Sequence, residues 1–126
     1  MIELLVALGA MVSRARELGQ RQVVVPRDVL HDLFFRRLWA EKRVGVYEWP
    51  EELDEDLDAL ISLGILRSED DKVVIDMEEF ERRVELIAPW SLRWIRGIFL
   101  FEDRSYQDHV MSVIWRTAAE HYHPSA

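Results

Sequence analysis

Within residues 50–76 the spacing of apolar side chains switches from helical to alternating, and no other feature narrows the possible folds as much. In PEELDEDLDALISLG, Leu53, Leu57, Leu60 and Ile61 fall on one face at helical spacing. Pro50 suits the first helical turn, and the acids after it sit where the helix dipole favours them. Gly64 supplies a left-handed stop. The following ILRSEDDKVVID reads as two short strands, Ile65–Arg67 and Val73–Ile75, with Ser68–Lys72 at the tip of a hairpin.

Upstream, Ile2 to Leu18 forms a first helix that stops at Gly19. Its apolar run from Leu4 to Val12 is broken only by Gly9, so this helix is expected to be buried on most sides. The run is too short to span a bilayer, and Glu3 stands where a signal peptide carries basic residues. An intracellular protein follows. Gln22–Val25 is a β-branched run ended by Pro26, and a second helix then reaches about Lys42 with Leu30, Leu33, Phe34 and Leu38 inward. Val44–Trp49 is a strand-like stretch or an ordered loop.

Downstream, Asp76 and Glu79 have capping-box spacing, and Met77, Phe80, Val84 and Ile87 make a one-sided seam. Pro89 ends that helix. Ser91 to about Glu102 is a further helix, apolar over most of its circumference. Ser105 and Asp108 open a last helix to about Tyr122, with Tyr106, Val110, Val113, Ile114 and Thr117 as its stripe. The expected class is mostly α with a small antiparallel β-hairpin. A single domain is expected, as a core over 1–76 and a helical extension over 77–126.

Charge is segregated along the chain. Residues 1–47 carry eight basic and five acidic side chains, residues 48–81 two and fourteen, and residues 82–126 six and five. The net −8 therefore belongs to the middle segment. Absence of Asn, with three Gln and fourteen Arg against two Lys, fits a thermophile, with an archaeal or viral source as the corresponding guess.

Residues 2–76 resemble a winged helix-turn-helix domain: a helix, the strand at VVV, two helices ending in LGIL, then the wing RSEDDKVVI. The resemblance implies a winged-helix-like core, and in that superfamily the usual task is to bind DNA. Two departures matter. Eight residues, Arg43 to Pro50, separate helices that a DNA-reading unit joins by a tight turn. The helix that would enter the groove carries Glu51, Glu52, Asp54, Glu55, Asp56 and Asp58 and no cation, so a duplex repels it. No base-contacting role is therefore transferred to any residue.

Enzyme chemistry finds little purchase. There is no cysteine, no Walker loop, GxGxxG, GxSxG or HExxH, and no recognisable setting for a serine or for Thr117 as nucleophile. His121 and His123, even with Asp108, His109 or Glu120, lack a closed metal-ligand spacing. His31, beside Asp32, reads as a polar surface or boundary residue. No cofactor or metal is expected, and no membrane partner.

The expected function is a non-enzymatic interaction module whose acidic helix docks a basic protein through Glu51, Glu52, Glu55 and Asp56. A homodimer is expected through the apolar terminal helices, with Trp90, Trp94, Ile98, Phe101 and Trp115 at its interface. The rival is a DNA-binding regulator that uses Arg14, Arg16, Arg21, Arg36, Arg37, Lys42 and Arg43.

Overall fold

A computed structural model of the chain describes residues 1–87 and 106–124. Helix α1 (Ile2–Glu17) lies at its centre. Leu4 through Val12 and Ala15 are all buried, Gly9 included, so the helix has no solvent face between Leu4 and Val12. Each Leu or Val withdrawn from water contributes about 1.5–3 kcal/mol, which makes α1 the main apolar asset of the fold. The expectation of a helix buried on most sides holds. Gly19 takes φ +75 just beyond its end, and the Gln20 amide donates back to the Ala15 carbonyl at 2.9 Å.

Strand β1 (Gln22–Pro26) follows and runs directly into α2 (Arg27–His31). The helix continues without a break as a π-helical segment, π1 (Asp32–Glu41). Leu30, Leu33, Phe34 and Leu38 are buried as the sequence spacing predicts, but the wider winding was not legible in it. Just beyond its end stands Arg43, a non-glycine residue at φ +60. There the Val44 amide reaches back to the Leu38 carbonyl at 2.9 Å. Residues 44–49 are an ordered loop, not a strand.

Helix α3 (Pro50–Ser62) buries Leu53, Leu57 and Leu60, with Ile61 partly covered. The hairpin after it consists of β2 (Arg67–Glu69) and β3 (Lys72–Asp76). Its first strand starts two residues later than the sequence reading placed it. The amides of Ile65 and Leu66 are already committed to the Leu60 carbonyl, at 3.0 and 3.4 Å, and cannot join a ladder. The tip shrinks to Asp70-Asp71, because Glu69 pairs with Lys72. Asp70 accepts φ +56, which a short polar side chain tolerates.

Strand β3 lies between β1 and β2, antiparallel to both, with Val24 and Arg67 both opposite Val74. Val73 and Ile75 face the core together with Val23 and Val25. The chain is thus mostly helical with a small three-strand antiparallel sheet. Among the described residues no helix is long and apolar enough to cross a membrane.

Helix α4 (Met77–Ile87) opens on Asp76, whose Oδ1 accepts the Glu79 amide at 3.2 Å. Met77, Phe80 and Val84 are buried on the expected seam. Helix α5 (Tyr106–Glu120) packs across α1 and touches π1. Its inward face is rotated from the expected one: Met111, Ile114, Thr117 and Ala118 are buried, while Val110 and Val113 are only partly covered. Thr117 joins that face because its hydroxyl donates to the Val113 carbonyl at 2.7 Å. The Tyr122 hydroxyl, donating to Gln20 at 3.0 Å, ties the end of the chain to the turn after α1. The expected helix over Ser91–Glu102 and the cap at Ser105 lie outside the described residues.

The end of α3 couples to α4 through one residue. Gly64 adopts φ +76, and a Cβ there would lie 2.9 Å from the Arg83 guanidinium carbon. That guanidinium donates to the Leu63 carbonyl at 3.0 Å, a cation placed where the helix dipole wants one. Gly64→Ala is expected to destabilise the fold by about 1–2 kcal/mol, from left-handed strain plus loss of this cap. A urea midpoint unchanged from the parent would contradict it.

Candidate protein-docking site

The eight residues that lengthen the connection between α2–π1 and α3 build a definite structure. Tyr47, near its end, folds back onto π1: its ring meets Phe34 edge-on at 5.2 Å and lies tilted over Phe35 at 6.5 Å. Its hydroxyl donates to Asp56 on α3 at 2.7 Å. Burial, with the Asp56 carboxylate beside it, pushes the phenol well above its ordinary pKa. One aromatic side chain thus joins π1 to α3 across the loop.

Outside this clamp the loop and π1 enclose an open cleft of about 540 Å³. Among the described residues its lining is Phe35, Trp39, Gly45, Val46, Tyr47, Glu48 and Trp49. Four of these are aromatic and one, Glu48, is charged. Trp39 is 57% exposed and Trp49 64% exposed. Trp39 is nevertheless held in place, since its six-membered ring packs over Gly45 with atoms 2.8 and 3.1 Å from where a Cβ would sit. His31, Phe35 and Trp39 follow at successive intervals of four, and the first two stack at 6.0 Å. π-Helical winding is rare and concentrates at functional sites, and here it presents the cleft's Phe35 and Trp39.

The acids of α3 divide into two groups. Glu52 accepts the Trp49 amide at 3.0 Å and caps the helix. Asp56 holds Tyr47. Asp54 accepts from His31 at 3.0 Å and Arg27 at 3.2 Å, and Asp58 takes Arg27 at 2.9 Å. These contacts fasten α3 to α2. Glu51 and Glu55, one turn apart, are exposed and make no ion pair or hydrogen bond among the described residues. Of the four residues expected to form a docking face, two therefore point outward and two serve the fold.

Of the seven cations considered for nucleic acid, four have carboxylate neighbours. Arg14 pairs with Glu17, Arg16 with Glu81, Arg36 with Asp32, and Arg37 with both Asp32 and Glu41. Arg21, Lys42 and Arg43 are exposed. Trp115 is partly buried against the core, while Trp90, Trp94, Ile98 and Phe101 lie outside the described residues. The apolar surface of α1 from Leu4 to Val12 is covered within one copy. His31 proves to be a boundary histidine with a carboxylate partner. Among the described residues no group of His, Asp and Glu is disposed to hold a metal.

Sequence spacing named the acids but passed over Phe35, Trp39, Tyr47, Glu48 and Trp49. A signal was present: Trp39 and Trp49 bracket the loop, and Trp39 falls among charged residues off the buried stripe of its helix. No protein-family model, curated protein or solved structure matches the chain.

The His31–Asp54–Arg27 contacts carry a pH prediction. Burial pushes the Asp54 carboxyl up, but the hydrogen bonds and charges of His31 and Arg27 outweigh it, leaving its pKa below the ordinary value. A depressed carboxylate contributes stability that is present above its unfolded pKa of about 3.9 and is lost as pH falls through the lower folded value. Asp54→Asn should therefore lower the thermal midpoint near neutrality and flatten its fall in acid. Parallel profiles for the two proteins would remove this role.

Proposed function

We propose that this chain is a non-enzymatic, intracellular protein-interaction module of winged-helix type. Its docking face would be the exposed edge of α3 together with the adjoining aromatic loop, and its partner a basic protein segment. The observation that carries the reading is the division of the α3 acids. Asp54, Asp56 and Asp58 are engaged by Arg27, His31 and Tyr47, whereas Glu51 and Glu55 stand exposed and uncompensated on the turns of α3 that follow the loop carrying Glu48. Support for the winged-helix part comes from the succession helix, strand, two helices, hairpin over residues 2–76.

The same geometry disfavours DNA. Glu51 and Glu55 would face phosphates, and Asp32, Glu17, Glu41 and Glu81 accompany the cations that would have to contact them. Dimerisation through the C-terminal extension stays in the proposal on sequence grounds: sedimentation at micromolar concentration should give a species near twice 14.9 kDa. A clean monomer would remove it.

Binding measurements with an oligolysine peptide and with a DNA duplex test the main reading. Oligolysine should bind with an affinity that falls as salt rises, and Glu51→Gln with Glu55→Gln should weaken it several-fold. The duplex should bind weakly and without sequence preference, and Glu51→Lys with Glu55→Lys should strengthen it. A tight, sequence-selective duplex complex of the unaltered protein, abolished by Arg36→Ala with Arg37→Ala, would overturn the proposal in favour of a DNA-binding regulator.

A further inference from the structure

The loop cleft is more specific than an acidic surface. Its walls are Phe35, Trp39, Tyr47 and Trp49, and Glu48 is the charged group among the described lining residues. Aromatic faces attract cations through their quadrupole, most strongly for Trp, and a carboxylate at the rim adds direction. Of the cations nearest in sequence, Arg36 and Arg37 are paired with Asp32 and Glu41, Lys42 and Arg43 are exposed beyond the end of π1, and none of the four lines the cleft. Glu51 and Glu55, both exposed, follow Glu48 in sequence on the opening turns of α3. The lining charge therefore disfavours anions and bare phosphates.

Shape narrows the choice further. Trp39 is packed over Gly45 with more than half its surface exposed, so an indole is fixed in position without being covered. Tyr47 is fixed likewise by Asp56 and Phe34, and it cannot swing out to close over a ligand. In this structure the site is an open platform and not a closed cage. A planar guanidinium suits such a platform: it is weakly hydrated, stacks flat on an aromatic face, and its N–H fork can still reach a carboxylate. A compact, strongly hydrated ammonium gains less.

We propose that the Phe35–Trp39–Tyr47–Trp49 cleft receives an arginine side chain of the basic partner, the guanidinium stacked on indole and donating to Glu48. This rests on the docking reading above and assigns its specificity. Exposed tryptophans in a pre-organised pocket are also where binding energy concentrates in protein interfaces.

The test is calorimetric titration with a capped Gly-Arg-Gly-Arg-Gly peptide and its lysine and citrulline counterparts. The arginine peptide should bind best, with the lysine peptide several-fold weaker and the neutral citrulline peptide at least about tenfold weaker. Trp39→Ala should weaken the arginine peptide roughly tenfold, and Glu48→Gln about three- to tenfold. Gly45→Ala, which must displace the Trp39 ring, should weaken it without altering any cleft charge. Urea midpoints close to the parent's for Trp39→Ala and Glu48→Gln would show that these losses are not unfolding.

Equal binding of the arginine and citrulline peptides would overturn the inference by making the cleft merely apolar. Tighter binding of an oligothymidylate, lost in Trp39→Ala, would overturn it in favour of a base-stacking platform. If Glu51→Gln with Glu55→Gln abolishes oligolysine and arginine-peptide binding while Trp39→Ala changes nothing, the cleft fails and the acidic docking face stands. If Trp39→Ala alone matters, the cleft stands and the acidic face fails.

Discussion

The exclusion of α1 from water sets the terms for everything around it. From Leu4 to Val12 the helix has no solvent face and must be covered on every side by other elements, and that is more surface than one neighbour can cover. The inner face of the sheet, the buried stripes of the other helices and the crossing of α5 supply that cover within one chain. Small residues make it possible. Ala7, Gly9, Ala10 and Ala15 let neighbours approach closely, while Leu4, Leu5, Leu8 and Met11 fill the space between them. Consequently the surface features of the chain lie on elements whose inner faces are already committed to α1, and they are held on a stiff support.

That stiffness bears on how the acidic segment should be understood. A run of six acids on one helix repels itself, and the fold relieves this by assigning most of them fixed partners. Arg27 and His31 take Asp54, Arg27 takes Asp58, Tyr47 takes Asp56, and the Trp49 amide takes Glu52. Exposed ion pairs of this sort are worth about 0–1 kcal/mol each, so their value is mainly in orientation: they register α3 against α2. What remains uncompensated is a short edge, Glu51 and Glu55, next to the loop that carries Glu48. The net −12 of residues 48–81 overstates the field a partner would meet and misplaces its focus.

Much of the framework was legible in the sequence, for a physical reason. Apolar periodicity reports burial, so the stripes of α2–π1, α3 and α4 and the depth of α1 could be read residue by residue. The boundaries at Gly19 and Gly64 followed from the left-handed stop that each supplies. Hydrogen-bond competition was not legible. The start of β2 depends on amides of Ile65 and Leu66 already bound to the Leu60 carbonyl, and periodicity carries no trace of that. The π winding of Asp32–Glu41 was hidden similarly, because Leu30, Leu33, Phe34 and Leu38 satisfy an ordinary helical stripe equally well. The aromatic cleft was missed because its members come from two elements and a loop. The same irregularity that obscured it in sequence, eight residues where a tight turn is usual, is what gives it room.

The two departures from a DNA-reading pattern are therefore one feature seen from two sides. A tight turn would bring α3 close under α2 and leave the start of α3 free to enter a groove. Here the loop occupies that approach: Trp49 stands as the residue before the first turn of α3, 64% exposed, and Tyr47 pins the loop to Asp56 within the helix. A duplex approaching the start of α3 would meet the exposed Trp49 indole and the Glu51 and Glu55 carboxylates. For a basic segment the same two properties are favourable, since bulk becomes an aromatic platform and charge becomes attraction. On the proposed reading the loop insertion and the acidic helix act in one direction, away from nucleic acid and towards cationic side chains.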